Sequence, residues 1–449
     1  MRVLVFLLLL LQAFSSQSET QVWIPGWQST SSLHVPRAGA AAVSHNGVVY
    51  ILGGIDGRDF LASTEFARQN ADGTLSSWQA GPVLSEPRGF FSASVVANSI
   101  YAVGGGNGPA GHNLLKSVER AVINPDGSLG PWRKETQELN LPRRCAKTAV
   151  LGNRLYAFGG FGGALLDTVE SAPILADGSL GPWRIEDNKM SLPRYVHAAK
   201  AIDDRSVINM GGHQEKQGAG LVEIEMATLD RSGKLGPWKI IGSLNTGRFA
   251  LETLHYNGHL YAFGGLEGVN YLRDVEKAAF DVSKPLKFET TNPLSTRLAN
   301  FSLINLGKWV YVIGGTNQDG YFDSVEYAMF NDYGDLGFWG NKEQAHAYER
   351  GELQFKGGAR LAISLPRQGV IVEHVPAGQY SYLKLQTAEG EEWIAVGAGE
   401  FTPGQNLAYS EGIVIQNFHS KALERTFDSI RFVSRVEFAD EADRVGFPH

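Results

Sequence analysis

The chain has 449 residues, 40 basic and 47 acidic side chains, and a formal net charge of -7. Apolar residues make up 43% and charged residues 19%, enough hydrophobic material to bury cores, which excludes a disordered chain. The acidic balance argues against a nucleic-acid binder held by phosphate contacts, and the lone cysteine, Cys145, excludes an intrachain disulfide framework. Burial is the expected fate of that thiol.

Met1-Arg2 is followed by an apolar run from Val3 to Leu11 and a small polar exit through Ser18. This is the pattern of a secretory signal over residues 1–18. The run is about half of the ~20 residues that span a bilayer, and no later segment is long and apolar enough. The expectation is a secreted or periplasmic protein with no membrane span after signal removal.

A repeat then runs over residues 22–340. Gly-Gly pairs begin at Gly53, Gly104, Gly159, Gly211, Gly264 and Gly314, spaced by 51, 55, 52, 53 and 50 residues. Each ends a short apolar run, and all but the fourth run hold a tyrosine (Tyr50, Tyr101, Tyr156, Tyr261, Tyr311). An aromatic follows 23 to 27 residues later: Trp78, Trp132, Trp183, Trp238, Phe288 and Trp339. Trp27 keeps the same period ahead of the first pair. Every period reads as an apolar strand after an arginine, a turn such as Asn46-Gly47, a second strand ending at Gly-Gly, a third around Ser-Val-Glu, and a short fourth. Four strands in a period of about 50 residues make one propeller blade.

These residues resemble kelch-repeat propellers, and the turn Asp-Gly-Ser-Leu-Gly-Pro-Trp at 126–132 and 177–183 is similar to that of exported bacterial kelch proteins. The resemblance implies an all-β chain with a six-bladed kelch-type β-propeller, seven blades being the alternative. The Trp27 strand would complete the last blade, with Trp339 competing for that place. Residues 341–360 read as a polar linker or short helix. Residues 361–438 turn β-rich again, with five short strands and a helical turn or loop over 417–427. Their stretch Asn-Phe-x-Ser-Lys-x-Leu-x-Arg-Thr-Phe resembles the OB-type domains of small exported bacterial proteins, which implies an OB-like barrel. Residues 439–449 read as an acidic tail.

Arginines keep the period too: Arg37, Arg88, Arg143, Arg194, Arg248 and Arg297. Third-strand glutamates match them at Glu65, Glu119, Glu170, Glu276 and Glu326, with Glu223 or Glu225 in the fourth copy. A buried charge must be paired, so a structural ring of Arg–Glu pairs, within or between blades, competes with a basic mouth for an acidic ligand. The residues just after each arginine differ between copies. Phe90, Arg144, Tyr195, His197 and Phe249 would form an aromatic, partly basic ligand pocket, against the alternative of channel-filling core. Aromatic faces with arginine suit sugars or a peptide carboxylate.

Catalytic signals are sparse. The 11 histidines are scattered without metal-ligand spacing, and no nucleophile elbow or phosphate loop occurs. Cys145 and Tyr195 stand where copper-radical oxidases of kelch type join a Cys to a Tyr, but no Tyr-His pair follows. No catalytic residue, metal or cofactor is assigned. The sequence points to an exported binding or scaffolding protein that recognises a protein or glycan through the propeller mouth and loops. The alternative is a carbohydrate-active enzyme, resembling sugar mutarotases, with its site at the same mouth.

Overall fold

Asn46 and Gly47 adopt φ of 46° and 76°, the left-handed pair that a tight hairpin requires. They join the first two strands of a four-stranded antiparallel sheet, Ala41–His45, Val48–Leu52, Thr64–Arg68 and Gln79–Ala80, paired in chain order. The same plan recurs in five further sheets, whose first strands are Ser92–Val96, Lys147–Leu151, Ala198–Ala201, Glu252–Tyr256 and Ser302–Leu306. All five residues of Val48–Leu52, Ser99–Val103 and Ser206–Met210 are buried. Both faces of these strands are covered, which is why they read as unbroken apolar runs. The computed structural model describes residues 21–108, 111–214, 218–350, 365, 367–377, 380–397, 399–410, 412–420, 422–433 and 436–438. The proposed signal, the acidic tail and the second half of the linker lie outside them.

The sheets follow one another in a cycle. Their first strands are neighbours in order, and the sixth lies beside the first. Tyrosines stitch successive sheets together. The Tyr50, Tyr101 and Tyr261 hydroxyls donate to the carbonyls of Gly127, Gly178 and Gly334, turn glycines of the next sheet, at 2.7, 2.8 and 2.8 Å. Tyr311 of the sixth sheet donates to Gly73 of the first at 2.6 Å. The Tyr156 hydroxyl has no such partner among the described residues.

The sixth sheet borrows from the N-terminus. Gln28–Ser29 pair with Tyr327 and Glu326 of its third strand, where a fourth strand belongs. Trp27 is buried, and its indole donates to the Pro293 carbonyl at 2.9 Å. Trp339 is instead 50% exposed, on a strand Leu336–Gly340 that pairs with Val22–Ile24. The place held by Trp78, Trp132, Trp183 and Trp238 in other sheets therefore belongs to Trp27. The helix Lys342–Glu349 follows, closed by a reciprocal Asn341–Gln344 capping box. Tyr348 of this helix lies so close to Gly26 that any side chain there would strike its ring.

Residues 367–438 contain a separate sheet of seven strands. Its order is Ile413–Ser420, Arg425–Phe432, Gly390–Gly397, Tyr380–Thr387, Arg367–Ala377, Asn406–Tyr409 and Val436–Phe438. Gly390–Gly397 and Arg425–Phe432 run parallel, and the other pairs run antiparallel. Ile371, Leu383, Leu385, Ile394, Leu407 and Tyr409 form its core. Of the expected helical turn or loop over 417–427, the described residues show a turn at 422–424 between the paired strands Ile413–Ser420 and Arg425–Phe432. Cross-strand aromatics account for this, with Phe418 edge-on to Phe432 at 4.9 Å and Phe427 stacked on Tyr382 at 5.5 Å. Among the described residues no helix is long and apolar enough to cross a membrane.

Candidate functional site

Five of the periodic arginines, Arg37, Arg88, Arg143, Arg194 and Arg248, are fully buried. Each pairs with a glutamate of its own sheet. Arg37 meets Glu65 at 2.6 Å, Arg88 meets Glu119 at 2.6 Å, Arg143 meets Glu170 at 3.0 Å and Arg194 meets Glu225 at 3.4 Å. Arg248 and Glu276 make the fifth pair. The same forks donate to the first glycine of each pair, as in Arg88 to the Gly104 carbonyl and Arg143 to the Gly159 carbonyl, both at 2.8 Å. The glutamates also accept from the loop that enters each sheet, as Glu119 does from the Ser85 amide and Glu170 from the Asn140 amide, both at 2.6 Å. One fork thus holds strand, Gly-Gly turn and loop together. These arginines present no charge to a ligand. Burial pulls the Arg143 guanidinium below its ordinary range, and Glu170 opposes the fall.

The sixth copy departs from this pattern, and Arg297 is not the equivalent residue. In four sheets the second glycine donates its amide to the arginine carbonyl of the next sheet, as Gly54 does to Arg88 at 2.9 Å. Gly315 of the sixth sheet donates likewise to Arg37 at 2.8 Å. From the fifth sheet, Gly265 donates to Leu298 at 2.8 Å. A one-residue slip therefore buries Leu298 and leaves Arg297 exposed, its guanidinium bonded to the Tyr271 carbonyl at 2.9 Å. Glu326 stays 3% exposed with no ion-pair partner among the described residues. Burial pushes its carboxyl up to about 7, opposed by a hydrogen bond from the Ser295 side chain.

Two residues past the arginine, or past Leu298, the chain turns left-handed: Gly39, Phe90, Cys145, Val196, Ala250 and Asn300 have φ between 46° and 58°. These six residues form a throat at one end of the central channel. Backbone hydrogen bonds of 2.6 to 3.0 Å run from Phe90 to Gly39, Cys145 to Phe90, Ala250 to Val196, Asn300 to Ala250 and Gly39 to Asn300. The Phe90 ring lies over Gly39, where a Cβ would sit 2.8 Å from it. Cys145 is buried and its thiol is pushed up to about 11 by that burial, which makes it a poor nucleophile. His197, which follows the left-handed Val196 and precedes the strand Ala198–Ala201, has no exposed surface. It packs between Gly159 and Gly212, in a wedge equivalent to the one that Phe91 fills between Gly53 and Gly105. Burial first, then Arg194 and Lys147, hold its imidazole neutral, well below the usual histidine range. His197 therefore lines the small throat cavity together with Phe90 rather than an exposed pocket with Arg144, Tyr195 and Phe249, because the residue after the left-handed turn points between sheets.

One residue past the buried arginine, each chain bridges to the residue after its Gly-Gly pair. The bridges are Ala38 to Ile55, Gly89 to Gly106, Arg144 to Phe161, Tyr195 to His213, Phe249 to Leu266 and Ala299 to Thr316. Three successive sheets fill these places with an arc of partly exposed rings. The Arg144 guanidinium lies 5.7 Å over Phe161; ring centroids are 6.2 Å apart for Phe161–Tyr195, 5.7 Å for Tyr195–His213 and 4.7 Å for His213–Phe249. The other three sheets carry small or aliphatic residues there. Of the anticipated pocket, Arg144, Tyr195 and Phe249 come together, whereas Phe90 stands apart, edge-on to Phe60 at 6.5 Å. Phe161 and His213 complete the arc and escape a reading centred on the arginines; their signal is the position directly after Gly-Gly.

Comparison with known proteins agrees with this architecture. The kelch motif family matches residues 36–65, 87–120 and 142–171. Alpha-scruin of Limulus polyphemus is 26% identical over 161 residues, which cover 33% of this chain and 16% of that protein. Kelch repeat protein M-T8 of Myxoma virus (strain Lausanne) is 32% identical over 135 residues, covering 30% of this chain and 24% of that protein. The matched region thus spans under a quarter of either relative. The solved structure of YjhT superposes with a TM-score of 0.55 at 15% identity, covering 70% of this chain and 99% of that one. At that identity the likeness speaks for fold alone. Repeats, cyclic sheet order and these matches support a kelch-repeat protein with a β-propeller fold.

Proposed function

We propose that the chain is a binding module, built as a six-bladed propeller followed by an OB-like unit, that holds a protein segment or glycan on the arc Arg144–Phe161–Tyr195–His213–Phe249. The carrying observation is the asymmetry of the mouth. Six equivalent places exist, and three neighbouring ones hold rings in tilted or edge-on contact with a guanidinium at one end. Structural need alone would repeat in all six. Exposed aromatic faces beside an arginine suit a sugar ring or a peptide carboxylate, and kelch-repeat proteins commonly mediate protein–protein binding. The enzyme reading has less support, since His197 is buried and neutral and the Lys147 ammonium is paired with Glu252 at 2.5 Å. Action outside the cytoplasm is proposed from the apolar run of residues 3–11. The OB-like reading is supported by the parallel pairing of the third strand of a three-stranded meander with a later hairpin strand. A glycan array and crosslinking capture from the extracellular fraction test the site. Arg144→Ala and Tyr195→Ala should each lower capture at least about tenfold, the loss of roughly 1.4 kcal/mol. Capture by both variants at the wild-type level would remove the arc as the binding surface.

A further inference from the structure

Below the throat the channel widens to a cavity of about 410 Å³ lined by the first strands of the six sheets. Its walls are small and mostly neutral: Ala41, Ala42, Ala93, Ala149, Ala199 and Ala201 leave the space open. Most of its hydroxyls are engaged. Ser92 and Ser94 each lie 2.8 Å from the Thr148 hydroxyl, Thr253 donates to the Tyr261 carbonyl at 2.7 Å and Ser302 to the Ala40 carbonyl at 3.0 Å.

Three charged side chains line the cavity: Lys147, Lys200 and Glu252. Lys147 and Glu252 neutralise each other across the channel at 2.5 Å. That leaves the Lys200 ammonium as one uncompensated positive charge, with no hydrogen bond or ion pair to any described residue. Burial pulls it below the usual lysine range and the field of Glu252 opposes the fall. The Lys200 side chain is half-buried; an unpaired ammonium in a confined channel is less well solvated than one in open water, and a strand of alanines could have carried a neutral residue there.

We propose that this channel cavity is a second ligand site, separate from the mouth arc, that takes a small anion (a carboxylate or a phosphate) against Lys200. The volume falls within the range of small-molecule pockets. Low-dielectric walls strengthen the attraction of a lone ammonium for an anion. Glu252 limits the site, because it occupies Lys147 and repels a second negative charge.

Isothermal titration of the full chain with inorganic phosphate and, separately, with citrate tests the proposal at neutral pH. Wild-type protein should bind at least one of the two, and the preferred probe tells a phosphate ligand from a carboxylate one. Lys200→Met should weaken binding at least about tenfold. Glu252→Gln should tighten it by about threefold or more, an outcome that misfolding cannot mimic. Arg144→Ala, at the mouth, should leave it unchanged, so that this site and the arc stand or fall separately. Binding of neither probe by the wild type, undiminished binding by Lys200→Met, or no gain in Glu252→Gln would overturn the site.

Discussion

The first five sheets and the sixth solve the same problem in different ways. The first five each clamp strand, turn and loop with a buried Arg–Glu pair. The sixth buries Leu298 in the arginine's place and leaves Glu326 without a cation among the described residues. It is also the sheet that takes Gln28–Ser29 from the N-terminus, with the Trp27 indole bonded to Pro293. Closure there relies on added strand pairing and aromatic burial rather than on a guanidinium fork. The clamp is therefore a device for sheets made of consecutive chain, and the seam holds by another means.

Breaking the clamp should show the largest effect. Arg143→Met leaves Glu170 buried without its cation, at a cost of about 3–5 kcal/mol. Arg297→Met, at the exposed position of the sixth copy, should stay within about 0.5 kcal/mol. Denaturant unfolding monitored by tryptophan fluorescence compares the two, and equal losses would erase the distinction between the five sheets and the sixth.

Next in size is the pH response of the seam. Folding raises the Glu326 carboxyl from its ordinary 4.5 to about 7. The native state therefore prefers the protonated form, and stability falls as pH rises through that window. Glu326→Gln should match wild type near pH 5 and exceed it at pH 8, by roughly 3 kcal/mol at most. A wild-type–variant gap in melting temperature that is flat between those pH values would contradict this. The smallest effect concerns the tyrosine stitches. Tyr311→Phe removes the link from the sixth sheet to Gly73 and should cost about 0.5–1.5 kcal/mol. Tyr156→Phe should be neutral or slightly stabilising, because the Tyr156 hydroxyl lacks a partner. The same unfolding assay reads both, and a larger loss for Tyr156→Phe would reverse the ranking.

Much of the propeller was legible because blades repeat a local recipe. Gly-Gly turns, hairpin Asn-Gly pairs and second-strand tyrosines carry their physics in the residue itself, through left-handed φ or the burial of a large ring. Position counting failed where a single residue slipped. Arg297 keeps the arginine rhythm, and only the hydrogen bond from Gly265 to Leu298 reveals which residue is inside. Between Trp27 and Trp339, which competed for the same place, only the pairing of Gln28–Ser29 with the sixth sheet decides for Trp27. The candidate site was half visible: Arg144, Tyr195 and Phe249 stand out by differing between copies. His197 looked equivalent, but the left-handed turn before it directs the ring into the wedge between sheets.

Local chemistry written in the chain determined that this protein would be built of Gly-Gly-punctuated β units with recurring arginine–glutamate pairs. Such features depend on neighbours a few tens of residues apart. Tertiary structure alone decided what sits opposite what across the ring: the N-terminal strand on the sixth sheet, Phe161 and His213 between Arg144 and Phe249, and Lys200 in a channel whose other lysine is already paired. Those pairings join residues with no fixed sequence separation, so they become defined only when the sheets close around a common axis.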